Sequence, residues 1–218
     1  MEDSLETCDD ELIEFRDALI ELVDPDKSIE KAMKILFYIG LDCLEHDDVC
    51  IDDEIIWELD EKIDEFEVDL DSTYCEQNEL FLDLCDNYRK KGIYKNVIDE
   101  LANMAEEYED SKSNQLVRDR SRFEEIMCGK MFSVPGSNVG IENTLEDMMR
   151  LLVQEEVYSS LLLPEGDMYS MVMKLQWIAI TYAVIRQCLF LRWKVRGKLE
   201  YEDIREIVNV IIRMTGYS

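Results

Sequence analysis

The sequence predicts an all-α protein, a multi-helix bundle of about eight helices around a long hydrophobic C-terminal helix. Three observations predict it. Eight glycines and three prolines are few for 218 residues, too few for the tight turns of a β-rich chain. Nearly all of them stand where an apolar pattern stops: Pro25, Gly92, Pro135, Gly136, Gly140, Pro164, Gly166, Gly197 and Gly216. Both residue types cost most inside a helix, so a helical chain keeps them at its ends. Finally, apolar residues recur three and four apart along most of the chain, the period of a helix with one buried face.

Taken in order, the first helix is expected from about Asp9 to Val23, with Leu12, Phe15, Leu19, Ile20 and Val23 in one stripe and Asp24-Pro25 as its stop. Ser28 caps a second helix, which turns Ile29, Met33, Leu36, Phe37 and Leu44 inward. Asp52 or Asp53 opens a third, with Ile55, Ile56, Leu59, Ile63 and Phe66 on one face. Thr73 and Glu76 have capping-box spacing for a fourth, which ends at Lys90-Lys91-Gly92, where two cations suit the negative end of the helix dipole. A fifth carries Val97, Ile98, Leu101, Met104, Ala105 and Tyr108. Residues 110–117 read as a hinge, and helical pattern resumes from about Arg118 to Phe132. The segment from Ser133 to Gly140 is the clearest break in the chain. After it come helices from about Asn143 to Leu163, from Asp167 to Arg196 and from Tyr201 to Met214.

The Asp167–Arg196 helix is apolar around most of its circumference, which places it at the centre of a bundle. Its longest uncharged run, Leu175 to Ile185, is far short of the roughly 20 residues a bilayer span requires. No membrane association is expected. The start Met1-Glu2-Asp3-Ser4 lacks the basic residues of a targeting segment, and seven cysteines without a C-x-x-C pair read as free thiols. The expected compartment is the cytoplasm.

Charge divides the chain. Residues 1–110 hold 37 acidic against 9 basic residues, a net of −28, whereas residues 111–218 hold 14 of each. The expected organisation is therefore a strongly acidic helical half, 1–110, and a charge-neutral helical half, 111–218, which could form one continuous domain. The acids alternate with core-type residues, so the acidic half is folded rather than a disordered tail.

Motifs for chemistry are sparse. Cys43, His46 and Cys50 have spacing that could place a thiolate–imidazole set on one helix face, as zinc would need. The plainer reading is two small core residues and a helix-end histidine, because no fourth ligand is evident; no bound metal or other cofactor is expected. With a single histidine, a di-iron site of paired Glu-x-x-His motifs is excluded. Asp69-x-Asp71-x-Thr73 opens like a calcium loop, but Tyr74 stands where glycine is required and Leu80 where the bidentate glutamate belongs; it reads as a helix cap. Two basic stretches, at Arg118, Arg120 and Arg122 and at Arg192, Lys194, Arg196 and Lys198, are expected to pair with the acidic half. The overall charge of −28 opposes nucleic acid.

From Glu142 onward the chain resembles the C-terminal helical region of the flagellin lysine-N-methylase family. The resemblance lies in Glu142-Asn143-x-Leu145 entering a helix, the break at Glu165-Gly166-Asp167, a long apolar helix containing Arg186, and Leu199-Glu200-Tyr201-Glu202-Asp203 opening a last helix. It covers about the last third of the chain. It implies, as one functional reading, a divergent or accessory relative of such a methyltransferase. The closely spaced cysteines of that family are absent, and the chain closes on Met214-Thr215-Gly216-Tyr217-Ser218 rather than a Glu-His pair, so no catalytic residue carries over.

The reading preferred from the residues themselves is a non-catalytic acidic helical module that engages a basic protein surface, as an inhibitor or a mimic of nucleic-acid charge. With the third helix burying its apolar stripe, Asp53, Glu54, Glu58, Glu61, Asp64 and Glu65 crowd its outer face. They are the expected partner-binding residues.

Overall fold

Side-chain caps and left-handed glycines set the helix boundaries in this chain. In the computed structural model, the described residues are 10–23, 27–46, 58–59, 61–63, 69–92, 94–109, 113–133, 142–160 and 168–215. In chain order the elements are α1 (Asp10–Glu21), α2 (Ile29–His46), α3 (Leu70–Lys91), α4 (Lys95–Glu109), α5 (Ser113–Met127), β1 (Met131–Ser133), β2 (Glu142–Thr144), α6 (Leu145–Ser160), α7 (Met168–Arg196) and α8 (Tyr201–Thr215). Glu58, Leu59 and residues 61–63 are also helical. The protein is all-α; among the described residues there is one small antiparallel strand pair, Met131 with Thr144, Phe132 with Asn143 and Ser133 with Glu142.

Several boundaries differ from those expected. Asp69, not Thr73, is the N-cap of α3: its carboxylate accepts from the amides of Asp71 and Ser72, and Thr73 lies in the first turn, its hydroxyl donating to the Asp69 carbonyl. An aspartate with two free amides ahead of it starts the helix sooner than a threonine followed by a distant glutamate. At the other end Gly92 adopts φ 68° and closes the helix on the Arg89 carbonyl, as expected. Of the expected hinge, residues 113–117 are helical, because Leu116 is fully buried and draws the helix back to Ser113. The helix expected to reach Phe132 stops at Met127, beyond which Gly129 turns at φ 69° and Phe132 enters β1.

The chain divides into two compact units: Met1–Glu67 with Glu146–Ala179, and Val68–Leu145 with Ile180–Ser218. This division does not follow the charge step at residue 110, and it falls inside α7. The first unit has a core of Leu19 and Val23, of Ile29, Ala32, Ile35, Leu36 and Ile39 on α2, of Met149, Val153 and Val157 on α6, and of Met171, Val172, Leu175 and Ile178 on α7. Polar groups on α6 satisfy the backbone where α1 ends and α2 begins. Glu146 accepts from the amide of Ile29 (3.0 Å), Arg150 donates to the Lys27 carbonyl (2.7 Å) and Gln154 to that of Val23 (3.3 Å). Ser28 adds the expected cap, its hydroxyl accepting from the Lys31 amide. These contacts supply partners for a backbone amide at the start of α2 and for carbonyls between the two helices.

In the second unit α7 is buried almost all round: from Thr181 to Arg192 only Ala183 and Arg186 are less than fully buried. This is the central position expected of an apolar helix. Phe190 meets Tyr108 and Phe123, and Trp193 meets Phe123 and Phe190, at ring separations between 5.7 and 6.5 Å. In the first unit the same helix is two-faced, with Tyr169, Met173, Gln176 and Trp177 exposed.

Candidate functional site

The alternation along α2 creates its outer face. Inward positions bury Ala32, Ile35, Leu36 and Ile39, and Gly40 lets the backbone come close to α7. A Cβ at Gly40 would lie 3.1 Å from Leu175 Cδ1 and 3.3 Å from Val172 Cγ2. Tyr38, Leu41, Asp42 and Glu45, spaced three, four and seven residues along the helix, then point away from the core. Together with Glu58, Leu59 and Lys62 they line a groove of about 360 Å³. Ile63 anchors the far wall through its burial, while Glu58, Glu61 and Lys62 are exposed. Lys62 reaches Glu58 one helical turn away at 3.7 Å. Between two side chains so open to water, that pair contributes little.

Of the residues expected to bind a partner, Glu58 and Glu61 are thus on an exposed helical face, and Glu58 lines the groove. Asp53, Glu54, Asp64 and Glu65 lie outside the described residues, as does Cys50. Cys43 and His46 belong to α2, but their side chains are outside the description. No group of three or more potential metal-binding side chains occurs among the described residues. Cys75, Cys85, Cys128 and Cys188 are free thiols. Burial pushes the Cys85 thiol up to about 12 and raises Cys188 as well, which leaves both protonated and unreactive at neutral pH.

The two basic stretches pair mainly within the C-terminal half, contrary to the expectation. Lys194 meets Asp119 (2.7 Å), Arg196 meets Asp203, Lys198 meets Glu200, and Arg120 and Arg186 share Glu124. From the acidic half comes Glu100: Arg192, 1% exposed, lies between it (3.2 Å) and Glu206 (3.0 Å). The reason is local. These bases sit on α5, at the end of α7 and just beyond it, within reach of carboxylates on α5 and α8 and of Glu200.

The consequence for electrostatics is large. Counted by compact unit, Met1–Glu67 with Glu146–Ala179 holds 31 acidic and 7 basic residues, a net of −24. The other unit holds 20 acidic and 16 basic, a net of −4. The charge asymmetry read from the sequence is therefore a property of one folded unit, the unit that carries the groove. The groove itself was missed by sequence reasoning. Its one signal was Tyr38 and Leu41 standing on α2 off the buried stripe.

No helix among the described residues is long and apolar enough to cross a membrane. Comparison with protein-family models, curated proteins and solved structures finds no match for this chain.

Proposed function

We propose that the protein is a non-catalytic acidic binding module that engages a basic protein surface through its first unit, acting as an inhibitor or as a mimic of nucleic-acid charge. The observation that carries this reading is the concentration of net charge −24 in Met1–Glu67 with Glu146–Ala179, against −4 in the remainder. Solubility alone asks for a moderate charge spread over the whole surface, not for its confinement to one unit. Like charges three apart on one helical face, such as Glu58 and Glu61, cost a few tenths of a kcal/mol per pair. A binding face recovers that cost when a basic partner neutralises the array, and steering by the field speeds encounter.

The test is capture of partners from the native host at low and high salt, by the wild type and by a variant carrying Glu58→Lys, Glu61→Lys and Glu65→Lys. A basic protein retained at low salt, released at high salt and lost from the variant supports the module. Equal retention by both proteins means that the acidic face is only a solvated surface.

A further inference from the structure

We infer that the groove between α2 and the helical residues 58–59 and 61–63 receives one face of a basic amphipathic helix belonging to the partner protein. This deepens the function proposed above and rests on it. The groove joins two properties that are seldom found together on a highly charged surface. Its apolar lining comes from Tyr38, Leu41 and Leu59, and Tyr38 and Leu41 are 47% and 37% exposed. Leu44, one helical turn beyond Leu41, extends the same apolar strip at 37% exposure. Among the described residues its polar lining comes from Asp42, Glu45 and Glu58, with Lys62 as the one base. Exposed Glu61 stands beside it.

Each property narrows the occupant. Apolar side chains left open in so acidic a setting call for apolar groups on the partner, because their burial is the main source of affinity in a groove of this kind. The carboxylates on both walls call for cations flanking those groups. Among the described lining residues, an acidic or phosphate-bearing ligand meets three carboxylates against one ammonium, which is itself shared with Glu58. A basic helix with apolar residues three and four apart presents both features at the matching spacing. About 360 Å³ is room for the ends of two or three aliphatic side chains, the scale of an anchor and not of a cofactor. The Glu58–Lys62 pair is long and exposed, so an incoming arginine or lysine can take over the carboxylate at little cost.

The test uses the full chain and two synthetic peptides of about eighteen residues, long enough to be helical when bound. Both contain only leucine and lysine in the same numbers. One keeps its leucines on a single helical face, and the other spreads them around the helix. Binding is read by fluorescence anisotropy at about 0.15 M salt, where non-specific attraction is screened. The one-faced peptide is expected to bind at least about tenfold more tightly than its isomer. Leu41→Ser and Leu59→Ser together should abolish that difference, whereas Leu151→Ser, exposed on α6, should leave it intact; circular dichroism checks that each variant stays helical. Equal binding of the two peptides by the wild type overturns the groove while sparing the acidic module. An equal loss in the Leu151→Ser variant overturns it too, since apolar attraction would then be unlocalised. Failure of both peptides to bind even at low salt removes the proposed function itself.

Discussion

The side-chain amide of Gln187 donates to Asn78 Oδ1 at 2.8 Å, with both residues shut away from solvent. Asn78 passes the chain on to the Ala105 carbonyl (3.1 Å), and Gln187 Oε1 accepts from Arg120 (3.2 Å), which also donates to the Arg186 carbonyl (2.8 Å). One polar thread therefore ties α3, α4, α5 and α7 through the apolar core of the second unit. Such a thread is stable while every member is satisfied and costly when one is removed.

That relationship predicts non-additive loss. Gln187→Leu and Asn78→Leu should each destabilise by about 2 kcal/mol, because each leaves the other amide buried without its partner. The double variant should be less unstable than the sum by about 1 kcal/mol. Urea denaturation of the four proteins measures the cycle; additivity would mean that the contact contributes nothing of its own.

A second prediction concerns Lys174, a buried side chain on α7 whose ammonium has no hydrogen-bond partner among the described residues. Burial lowers its pKa below the ordinary 10.5. In the window between that lowered value and 10.5 the unfolded chain holds a proton that the folded chain lacks, so this group makes stability rise with pH there. Lys174→Met keeps the length and removes the charge. At neutral pH it should stabilise by about 1 to 3 kcal/mol. The advantage should shrink as pH approaches 10.5 and vanish above it, where the lysine is neutral in both states. A gain that holds constant across this range would instead reflect better packing.

The same two residue classes show what the sequence could and could not reveal. The helical period, the αL glycine at position 92 and the apolar run of α7 are local signals, and local signals place helices. The stretch Asp69-x-Asp71-x-Thr73 reads as a helix cap and the capping-box spacing points to Thr73, whereas the cap is Asp69, because a capping box and an aspartate cap compete and only geometry decides between them. Asn78, Gln187 and Arg120 gave no signal, since their partners lie 27 to 109 residues away in the chain. For the same reason the pairing of Arg192 with Glu100 and Glu206 was not legible. The acidic asymmetry was legible. Its assignment to one compact unit was not, because that unit is assembled from two separated stretches of chain.

A third prediction concerns Asp119, which accepts from the Tyr108 hydroxyl (2.8 Å) and from Lys194 (2.7 Å). Burial works to raise its pKa, but the hydrogen bonds from Lys194 and Tyr108 outweigh it and hold the carboxyl below 3.8. A depressed carboxylate contributes stability that is present above the unfolded value and lost as pH falls through the folded one. Asp119→Asn should therefore cost stability at pH 7, by about 1 to 3 kcal/mol since charge-assisted bonds are lost. As pH falls below 3.8 and through the lowered folded value, the wild type should lose that advantage, and the two denaturation curves should converge. Curves that stay parallel down to the lowest pH would show that the site does not use the charge.

The last prediction sets the two units against each other. A net charge of −24 in the first unit makes repulsion the dominant electrostatic term there, and repulsion between exposed charges is screened by salt. The second unit is nearly balanced and holds opposed pairs such as Lys194–Asp119, Arg192–Glu206 and Arg89–Glu106. Screening weakens those attractions where they are exposed and hardly affects those that are buried. Raising sodium chloride from about 0.02 M to about 0.5 M, which shortens the screening length from roughly 20 Å to about 4 Å, should therefore act with opposite sign on the two. Hydrogen exchange resolves them, because each helix reports the opening of the unit around it. Amides of α2 and α6 should exchange more slowly at high salt, whereas those of α4 and α8 should change little or exchange faster. Replacing Glu58 and Glu61 by glutamine should reproduce part of the slowing in α2 at low salt and reduce its further response. Equal protection gained by all four helices would point to a general salting-out effect, and the acidic unit would then carry no measurable strain from its charge.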